Sequence, residues 1–220
     1  MSLNRKLLGL ALVGMVVIGA LLAPAAQAEE NTPTFTATES PVRETGTQVE
    51  AHEITVNAGT LKCKGATLLD SSGAGGMMLV MQPSYTECTV GGVAATVKMN
   101  GCEYTFEPTK TTEGEDRYAG RMGILCPTGK TIEVSTSGCL VTIGEQINLE
   151  TVEFANATAA KQVEYHETWQ TSVKSAEYMQ TGALCKGGTG VFKNLTYHGV
   201  STIKGESPTT GEPIGIWIGD

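Results

Sequence analysis

The sequence predicts an all-β fold: an antiparallel β-sandwich or barrel-like meander stabilised by disulfides. Three observations predict it. Short runs rich in Val, Ile, Thr and Tyr recur between Gly, Pro, Asn and Ser, the pattern of short strands joined by turns. No long stretch beyond the N-terminal leader carries a helical period. Six cysteines follow that leader, at Cys63, Cys88, Cys102, Cys126, Cys139 and Cys185. An even set in an exported chain reads as a disulfide framework.

The leader comes first. Arg5 and Lys6 precede an apolar run from Leu7 to Leu22, Pro24 ends it, and Ala26-Gln27-Ala28 is a small-x-small cleavage site. This is the grammar of a secretory signal peptide over 1–28. The apolar run is shorter than the roughly 20 residues of a spanning helix, so no membrane span is expected after cleavage. The remainder, 29–220, reads as a single disulfide-bonded all-β domain, secreted or associated with the cell envelope.

The strands then follow in order. Phe35–Glu39 and Glu53–Val56 open the domain. Thr60–Leu69 presents Leu61 and Cys63 on one face, then changes phase near Gly65 to present Ala66 and Leu68. Met77–Met81 reads as a buried strand ending at Pro83. Ala94–Met99 and Cys102–Phe106 flank Asn100-Gly101. Arg117–Cys126 alternates cleanly through Tyr118, Gly120, Met122 and Ile124, and "CPTGK" turns into Thr131–Thr136. "TSG" turns again into Cys139–Ile143, where Cys139, Val141 and Ile143 share a face. Thr151–Phe154, Val163–Val173, Val191–Val200 and Ile214–Ile218 complete the set. Two polar stretches, "EPTKTTEGED" at Glu107–Asp116 and "KGESPTTGEP" at Lys204–Pro213, read as exposed connections.

The stretch "TVKMNGCEYTF" changes step at Asn100-Gly101. Asn-Gly is the preferred centre of a two-residue type I′ hairpin, whose two central residues take positive φ. A hairpin here would set Met99 opposite Cys102, Val97 opposite Tyr104 and Ala95 opposite Phe106; a bulge at Gly101 would also reset the phase. The cysteines keep step with apolar neighbours and so point to the core. Their spacing lacks the close chelating pair of a structural zinc site, so no metal is expected. Sequence cannot choose among the possible connectivities. The expected one is sequential, Cys63–Cys88, Cys102–Cys126 and Cys139–Cys185.

Charge excludes some partners. The formal net charge is −8, and the leader holds bases without acids, so the domain alone is more acidic still. Such a chain is a poor match to nucleic acid or to an anionic membrane.

Catalytic patterns are sparse. His52, His166 and His198 show no metal-ligand spacing, and G-x-S-x-G is absent. A carboxylate pair for glycoside hydrolysis would have to be assembled from distant acids, and the 23 Asp and Glu single none out. "GAGG" at Gly73–Gly76 lacks the Lys-Ser/Thr of a phosphate loop, and "EGED" at Glu113–Asp116 lacks a calcium ladder. No cofactor is expected. Trp169, His166 and Trp217 are the candidate ligand-binding residues, since exposed aromatics on a β-face can stack on sugars. "NAT" at Asn156 and "NLT" at Asn194 match the N-glycosylation sequon.

Tyr85 and Cys88, then Asn100-Gly101-Cys102 with Tyr104, then Cys126-Pro127 and Cys139, carry a resemblance. Over much of Leu61–Asn156 the chain resembles an uncharacterised family of secreted, cysteine-containing proteins of soil actinobacteria. The resemblance implies secretion and a bacterial origin, and carries over no functional residue. The expected function is a secreted or envelope-associated, non-enzymatic β-module, structural or partner-binding, whose partner is an extracellular protein or glycan. The alternatives are a carbohydrate- or small-ligand-binding protein and, behind it, a secreted hydrolase.

Overall fold

In the structure, a computed structural model, residues 32–70, 75–112, 116–157 and 167–219 are described. They lie in one compact unit, Asn31–Asp220. The leader over 1–28, the first residues of the expected Val163–Val173 strand with His166, and parts of "GAGG" (73–74) and "EGED" (113–115) lie outside the described residues.

Every strand pairing is antiparallel. Five long strands form one continuous wall: β2 (Arg43–Val56), β3 (Gly59–Asp70), β4 (Leu79–Val90), β11 (Glu167–Thr181) and β12 (Gly190–Glu206), in the order β11-β12-β2-β3-β4. Two three-strand panels close this wall into a barrel. The first is β6 (Glu103–Thr111), β7 (Arg117–Leu125) and β10 (Gln146–Asn156). It pairs with the starts of β4 and β11, at Leu79–Met81 and Glu167–Thr171. The second is β5 (Val93–Lys98), β8 (Ile132–Thr136) and β9 (Cys139–Ile143), which pairs with the far ends, Cys88–Val90 and Met179–Thr181. The ladder thus closes on eight strands at each end, with five strands shared. Of the sandwich and the barrel, the barrel forms, and closure leaves neither panel with a free edge.

The long strands must serve both closures, and their burial pattern records it. On β3 the buried positions are Leu61 and Cys63, then Ala66 and Leu68. This is the phase step expected at Gly65. Its partner β4 steps with it, from Cys88 to Pro83 and Met81, across Glu87, whose φ is +49°. β11 steps at Ser175, φ +63°, and β2 shifts register between Thr47 and Glu53. Such irregularities bend a strand and re-aim its faces. Here they keep apolar side chains pointing inward as the wall passes from one panel to the other.

The Asn100-Gly101 turn stands at the fork between panels. Both residues take positive φ, +52° and +83°, and the Cys102 N–H donates to the Met99 carbonyl at 2.8 Å. The tight turn is therefore correct, but its arms do not pair as a hairpin. Val97 lies opposite Val134 and Ala95 opposite Cys88. Tyr104 lies opposite Met81 and Ile124, and Phe106 opposite Leu79 and Met122. The arms splay into different panels, β5 onto β4 and β8 and β6 onto β4 and β7.

Several strands run further than the pattern suggests. β4 continues through Pro83 to Val90, and β6 through Pro108 to Thr111, into the stretch expected to be loop. β2, β10 and β12 also extend well beyond the segments expected, with β12 reaching Glu206. β11 begins, among the described residues, at Glu167.

The three disulfides are Cys63–Cys88, Cys102–Cys126 and Cys139–Cys185, the sequential pairing. The first joins directly opposed residues of β3 and β4. The second straps the fork, tying the exit of the Asn100-Gly101 turn to the end of β7. The third ties the start of β9 to the loop after β11. Such a set belongs to an oxidising compartment rather than to the reducing cytoplasm. Among the described residues no helix is long and apolar enough to cross a membrane.

The two ends of the barrel are finished differently. At the β6–β7–β10 end, β1 (Thr34–Ala37) and β14 (Ile216–Gly219) pair as a two-stranded ribbon. Phe35, Ile216 and Ile218 on this ribbon are buried. Phe35 meets Phe154 edge-on at 5.8 Å between ring centroids and Trp169 at 5.6 Å. Phe106 and Trp169 meet at 4.7 Å. Large aromatic rings and the ribbon together stopper this end. The short strand β13 (Pro213–Ile214) pairs with the end of β12 beside it.

Candidate functional site: the open end of the barrel and the polar groups beneath it

Among the described residues, nothing stoppers the β5–β8–β9 end. A cavity of about 200 Å³ opens there. Its walls are aliphatic: Ile54 and Leu61 from the shared strands, Val134 and Val141 from the panel, with Val93 and Leu184 at the rim. Val93 is 55% exposed and Leu184 72% exposed. Among the described residues, the only hydroxyl side chains in the lining are Thr136 and Ser137, and no charged side chain lines it. The alternation of β9 and β3 makes this surface, since the residues turned inward are Cys139, Val141 and Ile143 on one strand and Leu61 and Cys63 on the other. Ile54 also lines a much smaller void further along the bore, shared with Tyr104 and Tyr197.

Polar side chains cross the bore. The His52 Nδ1 is 2.8 Å from the Tyr197 hydroxyl, and its Nε2 is 3.0 Å from the Ser201 Oγ. The Tyr85 and Tyr104 hydroxyls are 3.0 Å apart, and Tyr85 also bonds Tyr197. The chain of hydrogen bonds therefore runs from β6 through β4 and β12 to β2. Burial pushes the His52 imidazole down to about 4 and the Tyr104 hydroxyl up to about 12. Tyr85 and Tyr197 are raised as well, again mainly by burial. The histidine is thus neutral and the tyrosines are protonated at neutral pH. Gly199 makes room for the crossing, because a Cβ there would stand 2.8 Å from the His52 ring.

Ser201 and His52 make a hydroxyl–imidazole contact, but a tyrosine, not an acid, occupies the other ring nitrogen. All three are buried, and neither Ser201 nor His52 lines a cavity described above. The arrangement satisfies buried polar groups and cross-links the strands.

Two buried carboxylates stand nearer the stopper. Glu44 and Glu167 are almost wholly enclosed. Burial raises Glu44 well above the usual carboxylate range, and the charges of Glu167 and Asp70 add to it. Burial raises Glu167 to about 7, against the lowering effect of the Trp169 indole N–H, which donates to Glu167 Oε2. Among the described residues Glu44 Oε2 has no hydrogen-bond partner. Among the described residues no three metal-ligating side chains converge.

Trp169 is 1% exposed and packs among Phe35, Phe106 and Phe154, so it offers no stacking face to a sugar. Trp217 is half-buried on β14, opposite Thr36. His166 lies outside the described residues. His198 stands near the surface, with its Nδ1 3.3 Å from the Ser172 Oγ and its Nε2 3.8 Å from Glu50. Neither Trp169 nor Trp217 lines the cavity. The cavity is built instead from ordinary aliphatic strand residues, which carry no motif.

Comparison with family models, with curated proteins and with solved structures finds no match to this chain.

Proposed function

We propose that this is an exported, non-enzymatic barrel module that holds a small apolar molecule at its open end. The observation that carries this reading is the aliphatic cavity of about 200 Å³ framed by β5, β8 and β9. A closed barrel of about eight strands has an interior either filled by side chains or able to hold one small ligand. Here aromatics fill one end and leave the other free. A glycan is less well matched, because among the described residues no aromatic ring lines the cavity. Export is supported by the leader grammar at 1–28 and by three disulfides. The resemblance to secreted actinobacterial proteins supports a bacterial cell envelope or its surroundings as the place of work.

The test is expression of the full chain in an exporting host, with recovery of the oxidised protein from outside the cytoplasm. N-terminal sequencing is expected to begin at Glu29. Native mass spectrometry is expected to reveal an adduct with a small uncharged organic molecule, lost on solvent extraction and regained on adding the extract back. Retention of the leader, or a protein that takes up no apolar compound after extraction, overturns the reading.

A further inference from the structure

Leu184 stands in water at the mouth of an apolar cavity, and the chain around it is built to keep it there. Its neighbour Cys185 is bonded to Cys139 at the start of β9. Its own N–H donates to the Gly138 carbonyl at 3.1 Å. Gly138 has φ +85°, and a Cβ there would come within 2.8 Å of Leu184 Cδ1, so the leucine seats against bare backbone. Gln180 is fully buried beneath the loop. Its amide donates to the Lys186 carbonyl at 2.9 Å and to the Gly188 carbonyl. A loop held by a disulfide, a buried amide and a glycine seat pays its ordering cost before any ligand arrives. A large exposed aliphatic side chain held so firmly has its natural cover in the cavity it borders.

We propose that Leu184 is the rim residue that sets the size of the molecule this site accepts, and that the molecule is uncharged and largely hydrocarbon, of about eight to ten heavy atoms. The inference rests on the reading of the cavity as a ligand site. The size follows from volume: a dry cavity of about 150 Å³ takes benzene, and this one measures about 200 Å³. The class follows from the lining. An ion brought here would lose its water and find no countercharge among Ile54, Val56, Leu61, Val90, Val134 and Val141. The hydroxyls of Thr136 and Ser137 can bond one neutral polar group on the ligand at most a few atoms from the rim.

The experiment is a titration of the oxidised protein followed by amide chemical shifts, with p-cymene, 1-hexadecanol and octanoate as probes. Wild type is expected to bind p-cymene, with shifts at Val134, Val141 and Leu184, and to bind hexadecanol and octanoate at least tenfold more weakly. Leu184→Ala is expected to weaken p-cymene about tenfold and to narrow the gap to hexadecanol. Leu184→Trp is expected to abolish binding of all three. Leu184 is exposed, so both variants keep the fold. Wild-type binding with no change in either variant overturns the role of Leu184. Octanoate binding as tight as p-cymene overturns the uncharged class. Failure of wild type to bind any probe overturns the ligand site itself, and the rim role with it.

Discussion

The side-chain amide of Asn156 bonds both backbone polar groups of Ile218. Its Nδ2 donates to the Ile218 carbonyl at 2.8 Å, and its Oδ1 accepts from the Ile218 N–H at 2.9 Å. One residue of β10 thus fastens the last strand of the chain to the barrel. Both amide atoms of the sequon match at Asn156 are engaged within the fold. Asn156→Ala is expected to cost about 1–3 kcal/mol, because two backbone groups lose their partner. Thermal unfolding measures the loss, and hydrogen exchange should show Ile216–Gly219 opening first.

The Glu44–Glu167 pair gives a pH dependence with a definite sign. Both carboxyls are raised in the folded protein, so the fold binds more protons than the unfolded chain. The Glu167 contribution is fully present below the ordinary carboxylate value of 4.5 and is lost as pH rises through about 7, and Glu44, raised in the same direction, adds a loss of the same sign. His52 acts the other way. Lowered from 6.5 to about 4, it contributes stability above 6.5 that is lost as pH falls toward 4. Between these limits the two effects oppose. Glu44→Gln is expected to stabilise the protein at pH 8 and to flatten the loss on the alkaline side. Urea unfolding from pH 4 to pH 8 checks this; an unchanged slope in the variant would remove the carboxylate pair as its cause.

The strap across the fork should matter as much as a native disulfide usually does. Replacing Cys102 and Cys126 together by Ser is expected to cost about 2–4 kcal/mol in chemical unfolding of the oxidised protein. Amide exchange in β5 and β6 near the turn should rise more than in β12, on the far side of the barrel.

Gly101→Val places a β-branched side chain at a φ of +83°, with its Cβ 3.2 Å from Pro127. The expected cost is about 1–2 kcal/mol or more. Gly101→Asn, which tolerates positive φ, should lose much less. Melting temperatures of the two variants, measured side by side, separate backbone strain from simple loss of glycine.

Alternation alone marks Arg117–Leu125 and Cys139–Ile143, and the spacing of Leu61, Cys63, Ala66 and Leu68 reveals the phase step in β3. The far half of β4 and the end of β6 are hidden for a physical reason. Pro83 and Pro108 cannot donate to a ladder, so each reads as a stop. In the barrel Pro83 lies opposite Leu68 and Pro108 opposite Gly120, and the strands pass through. The Asn100-Gly101 turn is legible because it depends on two residues. The partners of its arms are not, because they depend on strands far along the chain. The cavity is less legible still: Val134 or Val141 looks the same in sequence whether the space opposite it is filled or empty. His52, Tyr85, Tyr104, Tyr197 and Ser201 share no spacing that would join them before the strands are wound.

The five shared strands and two separate panels have a consequence for how such a chain can diversify. A substitution in β8 or β9 is felt first at the open mouth, and reaches the stopper through the common wall and the fork between the panels. Homologous sequences should therefore vary in two largely uncoupled blocks, one following β5, β8 and β9 and the other following β6, β7 and β10. A lineage could remodel its mouth while inheriting its base unchanged.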